Sequence, residues 1–131
     1  MLEKPTRRVL IVDDNEEAAE LLQMLLVLEG YETRLAFSGA EGLATAESFR
    51  PHVICSDIGM PEMSGIEFGH ALRASSYANN ILLLAITGWS DVDTAADIIR
   101  AGYDYHFAKP VPSNSISDCL NKFFDAHPFL T

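Results

Sequence analysis

The sequence predicts one α/β domain built on a parallel sheet, and three observations lead to this fold class. Strand-like and helix-like segments alternate five times along the 131 residues, which is an ordinary length for a single domain. Three strand-like segments are continuously apolar, as expected when helices cover both faces of a parallel sheet. The chain shows no internal repeat and no Gly/Ser/Pro-rich linker that would divide it.

The first unit begins with the apolar strand Arg8–Val12 and continues into a helix. Asn15 is a favourable N-cap, and the acidic residues that follow it suit the positive end of the helix dipole. Gly30 provides a C-terminal stop. Apolar residues recur at the i, i+3, i+4, i+7 spacing, which predicts a buried face formed by Ala18, Leu21, Leu22, Leu25 and Leu28.

The later units repeat this scheme. Ser90 and Asp93 have the spacing of a capping box, which predicts the start of a helix that ends near Gly102. Five units joined by right-handed crossovers favour a doubly wound, three-layer sandwich of the flavodoxin-like strand order 2-1-3-4-5, an order taken from known folds of this class. The other predicted strands and helices are, in order, 31–37, 39–49, 52–56, 64–74, 81–86, 105–108 and 113–124.

Charge and hydropathy exclude several classes of function. Nine Lys+Arg against 19 Asp+Glu give a net charge of −10, so the basic footprint of nucleic-acid binding is missing. The longest apolar run, 81–86, is far shorter than the roughly 20 residues of a membrane helix, and the first residues lack a signal-peptide stretch. We expect a cytoplasmic protein without direct nucleic-acid or membrane partners. Cys55 and Cys119 form no CxxC motif and are expected to be buried thiols.

Functional side chains are predicted to meet at one edge of the sheet. Ligands of open parallel sheets bind at the carboxyl ends of the strands, where strand order reverses, here between strands one and three. Asp13, Asp14 and Asp57 follow these two strands, and Thr87 and Lys109 follow strands four and five. Converging carboxylates need a cation, and oxygen ligands favour Mg²⁺. Each motif alone could be structural, as a helix cap, a turn residue or a solvated charge, but together they predict a site for a phosphate donor.

Four segments of the sequence resemble the receiver domain of two-component response regulators. They are Val9-Leu-Ile-Val-Asp-Asp-Asn15, Ser56-Asp-Ile-Gly-Met-Pro61 with Gly65, Thr87-Gly88 and Lys109-Pro110. The resemblance covers residues 7–125, which leaves 1–6 and 126–131 as terminal tails. It implies a switch that accepts a phosphoryl group from the phosphohistidine of a sensor histidine kinase or a histidine phosphotransfer protein. A monomer or weak homodimer is expected.

The resemblance also implies a role for each residue of the acidic site. Asp57 would be the phosphoacceptor. Mg²⁺ would be bound directly by Asp14, Asp57 and the backbone carbonyl of Gly59, and mainly through water by Asp13. Lys109 would contact the phosphoryl oxygens, and the peptide bond after it is typically cis in the family. The domain would catalyse its own phosphorylation and dephosphorylation without being a turnover enzyme.

The switching residues depart from the family pattern at one position. Thr87 would move toward the phosphoryl group, but the residue three before Lys109 is His106, where the family usually has Tyr or Phe. Phe107 alternates to the other face of the strand and is expected in the core. Trp89 either packs in the core or lines the entrance to the site, and the sequence leaves both open.

Three other interpretations of the chain remain. His106 and the residues before it resemble receiver domains attached to hybrid sensor kinases. A degenerate receiver would keep the fold and serve only as a protein-binding module. A flavodoxin-like electron carrier would need a Ser/Thr-rich phosphate loop after the first strand, where the acidic residues 13–17 would repel a flavin phosphate.

Overall fold

The computed structural model describes residues 6–88, 95–112 and 114–128. Within them, five strands alternate with five helices, as predicted. No helix in these ranges has the length and apolar character needed to cross a membrane. The elements are β1 Arg8–Val12, α1 Glu16–Leu28, β2 Glu32–Ala36, α2 Gly39–Phe49, β3 Val53–Asp57, α3 Gly65–Arg73, β4 Leu82–Thr87, α4 Ala95–Arg100, β5 Tyr105–Ala108 and α5 Ser115–Ala126.

The sheet is parallel throughout and has the order β2-β1-β3-β4-β5, which confirms the predicted topology. The three inner strands, β1, β3 and β4, are almost completely buried. The edge strands β2 and β5 are more exposed. Burial therefore follows the sequence pattern, because the inner strands are the ones with continuous apolar runs.

Helices cover both faces of the sheet and form two separate cores. One face carries α2, α3 and α4, and the other carries α1 and α5. Cys55 lies buried in the second core and Cys119 is partly buried beside it, both as free thiols. The buried apolar residues of the helices are Ala46, Phe68, Leu72 and Ile98 on the first face, and Ala19, Leu26, Ile116, Leu120 and Phe124 on the second.

The predicted buried face of α1 is wrong at Leu21 and Leu28, whereas Ala18, Leu22 and Leu25 are partly buried. The helix begins as predicted, with the Asn15 side chain accepting a hydrogen bond from the Ala18 N–H, but Ala19 and Leu26 are its buried residues. Leu21 is 61% exposed and Leu28 is 83% exposed. The reason is that the second half of α1 is apolar on every side, so the spacing alone fits several faces.

Smaller differences concern where the elements begin and end. β3 and β4 each end one residue later than predicted, so Asp57 and Thr87 are the last residues of their strands. The predicted capping box at Ser90 and Asp93, and Trp89, lie outside the described residues. So do most of the predicted N-terminal tail, the last three residues of the C-terminal tail and residue 113, where the last helix was predicted to begin.

Candidate functional site

The register of the sheet brings the aspartates together. Val12 of β1 pairs with Ser56 of β3. The residues that follow them along the chain, Asp13 and Asp57, therefore lie side by side. One carboxylate oxygen from each of Asp13, Asp14 and Asp57 lies within 4.8 Å of the other two. Asp13 and Asp57 are each 5% exposed, whereas Asp14 is exposed to solvent. Parallel pairing therefore produces the cluster of carboxylates that the strand ends predict.

Lys109 reaches this cluster from the edge of the sheet. Thr87 pairs with Ala108 in the β4–β5 ladder, and the backbone N–H of Lys109 extends the ladder by donating to the Thr87 carbonyl at 2.7 Å. The Lys109 Nζ lies 3.2 Å from Oδ1 of Asp57. The peptide bond between Lys109 and Pro110 is cis.

The loop between β3 and α3 folds tightly against the end of β3. The Ile58 N–H donates to the Ile86 carbonyl at 3.1 Å, and the Ile58 carbonyl accepts hydrogen bonds from the N–H groups of Met60 and Gly65. A Cβ at Gly65 would lie 2.5 Å from the Asp57 carbonyl oxygen and from the Ile58 Cα, so this close approach requires glycine. Gly59, two residues after Asp57, is exposed within this loop.

The aspartates carry more negative charge than their surroundings neutralise. Burial, followed by the neighbouring Asp13 carboxylate, raises the pKa of Asp57 to about 6, against the opposing effect of Lys109. Burial also raises the pKa of Asp13, although the Asn15 N–H donates to its carboxylate at 2.9 Å. A hard divalent cation suits this set of oxygen donors, so the three aspartates could hold a metal ion.

The predicted switching residues lie near β5. Thr87 is half-buried, and its hydroxyl is 3.4 Å from the Phe107 carbonyl, at the long limit of a hydrogen bond. His106 pairs with Ala85 in the ladder, and its side chain is exposed. Phe107 packs against the core under α1 and α5, as predicted from its place in the strand.

Sequence reasoning missed an apolar cavity beside the acidic cluster. It has a volume of about 290 Å³ and lies between α1 and the loop that follows β5. The sequence signal for this cavity is the large number of apolar residues in α1, which the helical spacing assigns to the core. Its lining includes Asp13 and Lys109 together with Leu21, Leu22, Leu25, Val111, Pro112 and Ile116.

Sequence reasoning also missed a buried tyrosine on the opposite face of the sheet. The Tyr103 hydroxyl donates to the main-chain carbonyl of Gly65 at 2.6 Å. The sequence offers one hint, the glycine at position 69. A Cβ there would clash with the Tyr103 ring. Packing between residues so distant along the chain leaves no periodic pattern to detect.

Comparison with known proteins identifies the family. Residues 9–121 match the family model described as the response regulator receiver domain. The chain belongs to this family. Response regulator receiver domains interact with histidine kinases or phosphotransfer proteins, so the expected class of partner follows from family membership.

The relatives of this receiver domain differ in length. The transcriptional regulatory protein PrrA of Mycobacterium leprae is 37% identical over 103 residues, which are 79% of this chain and 43% of PrrA. The polar-differentiation response regulator DivK of Brucella ovis is 33% identical over 106 residues, which are 81% of this chain and 86% of DivK. The receiver domain described here thus spans less than half of PrrA and most of DivK.

Solved structures agree with this assignment. The chemotaxis protein CheY4 of Vibrio cholerae is similar with a TM-score of 0.84 and 30% identity, over 90% of this chain and 98% of CheY4. A CheY-like receiver domain protein of Methanospirillum hungatei has a TM-score of 0.81 and 28% identity, over 93% and 96% of the two chains. Both similarities extend over almost the whole receiver domain.

Proposed function

We propose that this chain is a phosphoacceptor switch of a two-component system, in which Asp57 takes a phosphoryl group from a phosphohistidine with the help of Mg²⁺. One observation carries the proposal. The Asp57 carboxylate is buried at the end of β3, 3.2 Å from the Lys109 ammonium and beside the carboxylates of Asp13 and Asp14. A nucleophile, a cation and a set of oxygen ligands therefore meet at one point.

The donor set fits a magnesium ion. We assign the direct ligands to Asp14, Asp57 and the Gly59 backbone carbonyl, and a contact through water to Asp13. Bound there, Mg²⁺ would neutralise charge on the phosphoryl oxygens and draw them toward the cluster. The raised pKa of Asp57 supports the need for a cation, because an ionised carboxylate is the form that attacks phosphorus.

The residues divide the reaction between them. An oxygen of the Asp57 carboxylate forms a bond to phosphorus while the phosphorus–nitrogen bond of the phosphohistidine breaks, and its electron pair returns to the imidazole nitrogen. The Lys109 ammonium stabilises the negative phosphoryl oxygens as the bond forms. Water later attacks the acyl phosphate, which releases inorganic phosphate and restores Asp57. The domain would thus catalyse its own phosphorylation and dephosphorylation.

The cavity next to the cluster favours a protein as the natural phosphodonor. Leu21 is 61% exposed on the rim of this cavity, which also includes Asp13 and Lys109. A donor that reaches Asp57 along this opening covers apolar surface that a small phosphate compound cannot cover. We therefore propose that a histidine kinase or phosphotransfer protein docks over α1 and the loop after β5.

Switching would begin at Thr87. We propose that phosphoryl oxygens draw the Thr87 side chain inward and that the exposed His106 ring follows only weakly, because its imidazole is smaller and more polar than the usual Tyr or Phe. Amide chemical shifts with beryllofluoride and Mg²⁺ would then change strongly at Thr87 and Gly88, and less at His106. Equally large changes at His106 would assign it the role of the family's aromatic residue.

We further propose residues 7–125 as the receiver unit, slightly longer than the matched range of 9–121. That this receiver domain is part of a hybrid sensor kinase stays a prediction. The degenerate-receiver alternative is disfavoured because Asp57 and Lys109 are present and in contact. The electron-carrier alternative is disfavoured by the acidic cluster at the end of β1, which would repel a flavin phosphate.

Treatment with acetyl phosphate and Mg²⁺ tests the proposed function. Intact mass spectrometry should show one added phosphoryl group on the wild-type protein and none on Asp57→Asn or after addition of EDTA. Asp118→Asn, an exposed aspartate of α5, is the matched control and should be labelled like the wild type. Full labelling of Asp57→Asn would rule out this residue as the acceptor.

A further inference from the structure

Tyr103 is a buried polar residue that the proposed chemistry does not use. It lies between α4 and β5 and is 4% exposed. Its hydroxyl donates a 2.6 Å hydrogen bond to the carbonyl of Gly65, the first residue of α3. Because a buried polar group that loses its partner costs free energy, this bond holds the Gly65 carbonyl in place.

Two glycines make room for this contact. A Cβ at Gly69 would lie 2.8 Å from Cε2 of the Tyr103 ring, so the ring occupies the space that a side chain on α3 would fill. Gly102 has a φ of +102°, which turns the chain directly before Tyr103. The hydroxyl therefore reaches Gly65 because both the helix and the turn lack side chains at these points.

Gly65 is part of the backbone that supports the acidic site. Its N–H donates to the Ile58 carbonyl at 2.8 Å and closes the loop that contains Gly59. The Asp57 carbonyl oxygen and the Ile58 Cα occupy the space that a Cβ on Gly65 would need. Any displacement of Gly65 therefore also displaces Asp57 and Ile58.

A buried serine adds a second polar contact at the same strand end. The Ser56 hydroxyl, which is fully buried, donates to the Asp57 carbonyl at 3.1 Å. The Tyr103–Gly65 bond and the Ser56–Asp57 bond thus hold two buried main-chain carbonyls next to the Asp57 site.

We propose that Tyr103 is a positioning residue for the Asp57 site: by holding the Gly65 carbonyl, its hydroxyl keeps the loop of residues 58–64 in the form that binds Mg²⁺. This inference rests on the proposed function, because it assigns the Gly59 carbonyl to the metal. Without the hydroxyl, metal binding must also order the loop, and that ordering costs conformational entropy. The consequence is a weaker metal site in a domain that is still folded.

A matched pair of variants tests this role. Tyr103→Phe removes the hydroxyl behind Asp57. Tyr31→Phe removes the hydroxyl of another buried tyrosine, which also donates at 2.6 Å, but to the exposed Asn121 of α5 on the other face of the sheet. Calorimetric titration with Mg²⁺ should show a roughly three- to tenfold higher Kd for Tyr103→Phe, the range expected for one hydrogen bond. The Kd of Tyr31→Phe should stay within about twofold of the wild type.

Two further measurements separate positioning from general stability. Without Mg²⁺, amide hydrogen exchange should be faster in residues 58–64 of Tyr103→Phe but not of Tyr31→Phe. The labelling rate with acetyl phosphate should fall for Tyr103→Phe at limiting Mg²⁺ and recover at saturating Mg²⁺. Gly69→Ala, which crowds the ring and keeps the hydroxyl, should also raise the Mg²⁺ Kd.

The outcomes distinguish the inference from the proposed function. If the wild type binds Mg²⁺ and is labelled, while Tyr103→Phe and Tyr31→Phe have equal Kd values and equal loop exchange, the positioning role is wrong and the proposed function stands. If the wild type neither binds Mg²⁺ nor is labelled, the proposed function fails and the positioning role fails with it.

Discussion

Two short carboxylate–cation pairs lie at opposite ends of the sheet, and they differ in their surroundings. Asp57 and Lys109 meet at the carboxyl end at 3.2 Å, and Asp104 and Arg73 meet at the amino end at 3.0 Å. The Asp104 carboxylate also accepts the Leu83 N–H at 2.9 Å. The carbonyls of Gly102, Ala78 and Ile81 accept further hydrogen bonds from the Arg73 guanidinium.

The comparison shows how an ion pair can serve the fold at one end and chemistry at the other. The Arg73 pair joins α3 to the starts of β4 and β5 through hydrogen bonds that satisfy both charges. At the other end, Lys109 faces Asp57 while two more aspartates lie within 4.8 Å of it. A balanced pair stabilises its connections, whereas a pair with surplus charge of one sign can take up another cation and bind phosphate with it.

Removing the Lys109 charge should lower the labelling rate, whereas removing the Arg73 charge should lower the free energy of unfolding. The change in labelling rate is the largest effect expected. Lys109→Met should lower the rate of Asp57 labelling by acetyl phosphate by about 100-fold, because removal of one preorganised charge donor costs that much in comparable sites. The labelling rate is measured by intact mass over time at saturating Mg²⁺, with circular dichroism to verify folding.

Arg73→Met is the control at the other end. It should keep the labelling rate within about twofold and lower the free energy of unfolding by about 2–4 kcal/mol, because several backbone carbonyls and Asp104 lose their partner. Urea denaturation measures this change. A labelling defect in Arg73→Met equal to that of Lys109→Met would remove the functional distinction between the two ends.

The strand order and the acidic cluster could be predicted because both depend on local patterns. Continuous apolar runs identify the inner strands, and parallel strands align their carboxyl ends, so Asp13 and Asp57 had to lie close together once the order was known. The predicted face of α1 failed at Leu21 and Leu28 because apolar residues from Leu21 onward surround most of the helix, so the spacing fits several faces. Burial there is decided by how the helix sits on the sheet.

The contacts of Arg73 and Tyr103 could not be predicted for a different reason. Both side chains bond to main-chain carbonyls, and every residue carries a carbonyl, so the sequence does not mark the acceptor. Gly65 and Gly102 become acceptors only when α3 and the turn before β5 are brought together. Such contacts depend on the assembled fold, whereas charges at strand ends are visible beforehand.

The surplus charge at the Asp57 end should make stability depend on pH. The pKa of Asp57 is raised from 3.8 to about 6, so the folded state binds this proton more tightly than the unfolded chain does. The resulting stabilisation is complete below about pH 4 and is lost as pH rises through 6, a change of about 3 kcal/mol without divalent cations. Urea denaturation in EDTA at pH 4 and pH 7 measures it.

Asp57→Asn should lack this part of the pH dependence and gain stability relative to the wild type between those pH values. Asp118→Asn, an exposed aspartate, is the control and should follow the wild type. The test compares the change in free energy of unfolding from pH 4 to pH 7 in the wild type and in Asp57→Asn. Equal changes in the two proteins would show that the Asp57 pKa is not raised in the folded protein.

Mg²⁺ should neutralise the surplus negative charge of the aspartates, and its effect on stability should be smaller than that of pH. A cation that binds only the folded state stabilises it by mass action, by about 2.7 kcal/mol at 100 times its Kd. The wild-type melting temperature should therefore rise with Mg²⁺. Asp14→Ala should melt higher than the wild type without metal, because Asp14 repels Asp57, and should respond less to Mg²⁺. Glu20→Ala changes the charge equally on exposed α1 and should respond like the wild type.

Substitutions of exposed leucines on α1 should have the smallest effect on the stability and labelling of the isolated domain. This helix runs from the acidic cluster toward the other end of the sheet. Leu21, 61% exposed, lines the cavity with Asp13 and Lys109, and Leu28, 83% exposed, ends the helix. Leu21→Gln and Leu28→Gln should each change the free energy of unfolding by less than about 0.5 kcal/mol and leave labelling by acetyl phosphate unchanged. Only Leu21→Gln should slow phosphoryl transfer from a phosphorylated histidine kinase or phosphotransfer protein that labels the wild type, because only Leu21 lies where such a donor must approach Asp57. Equal transfer rates for the two variants would place the donor elsewhere on the surface and leave the exposed apolar residues of α1 without a role in transfer.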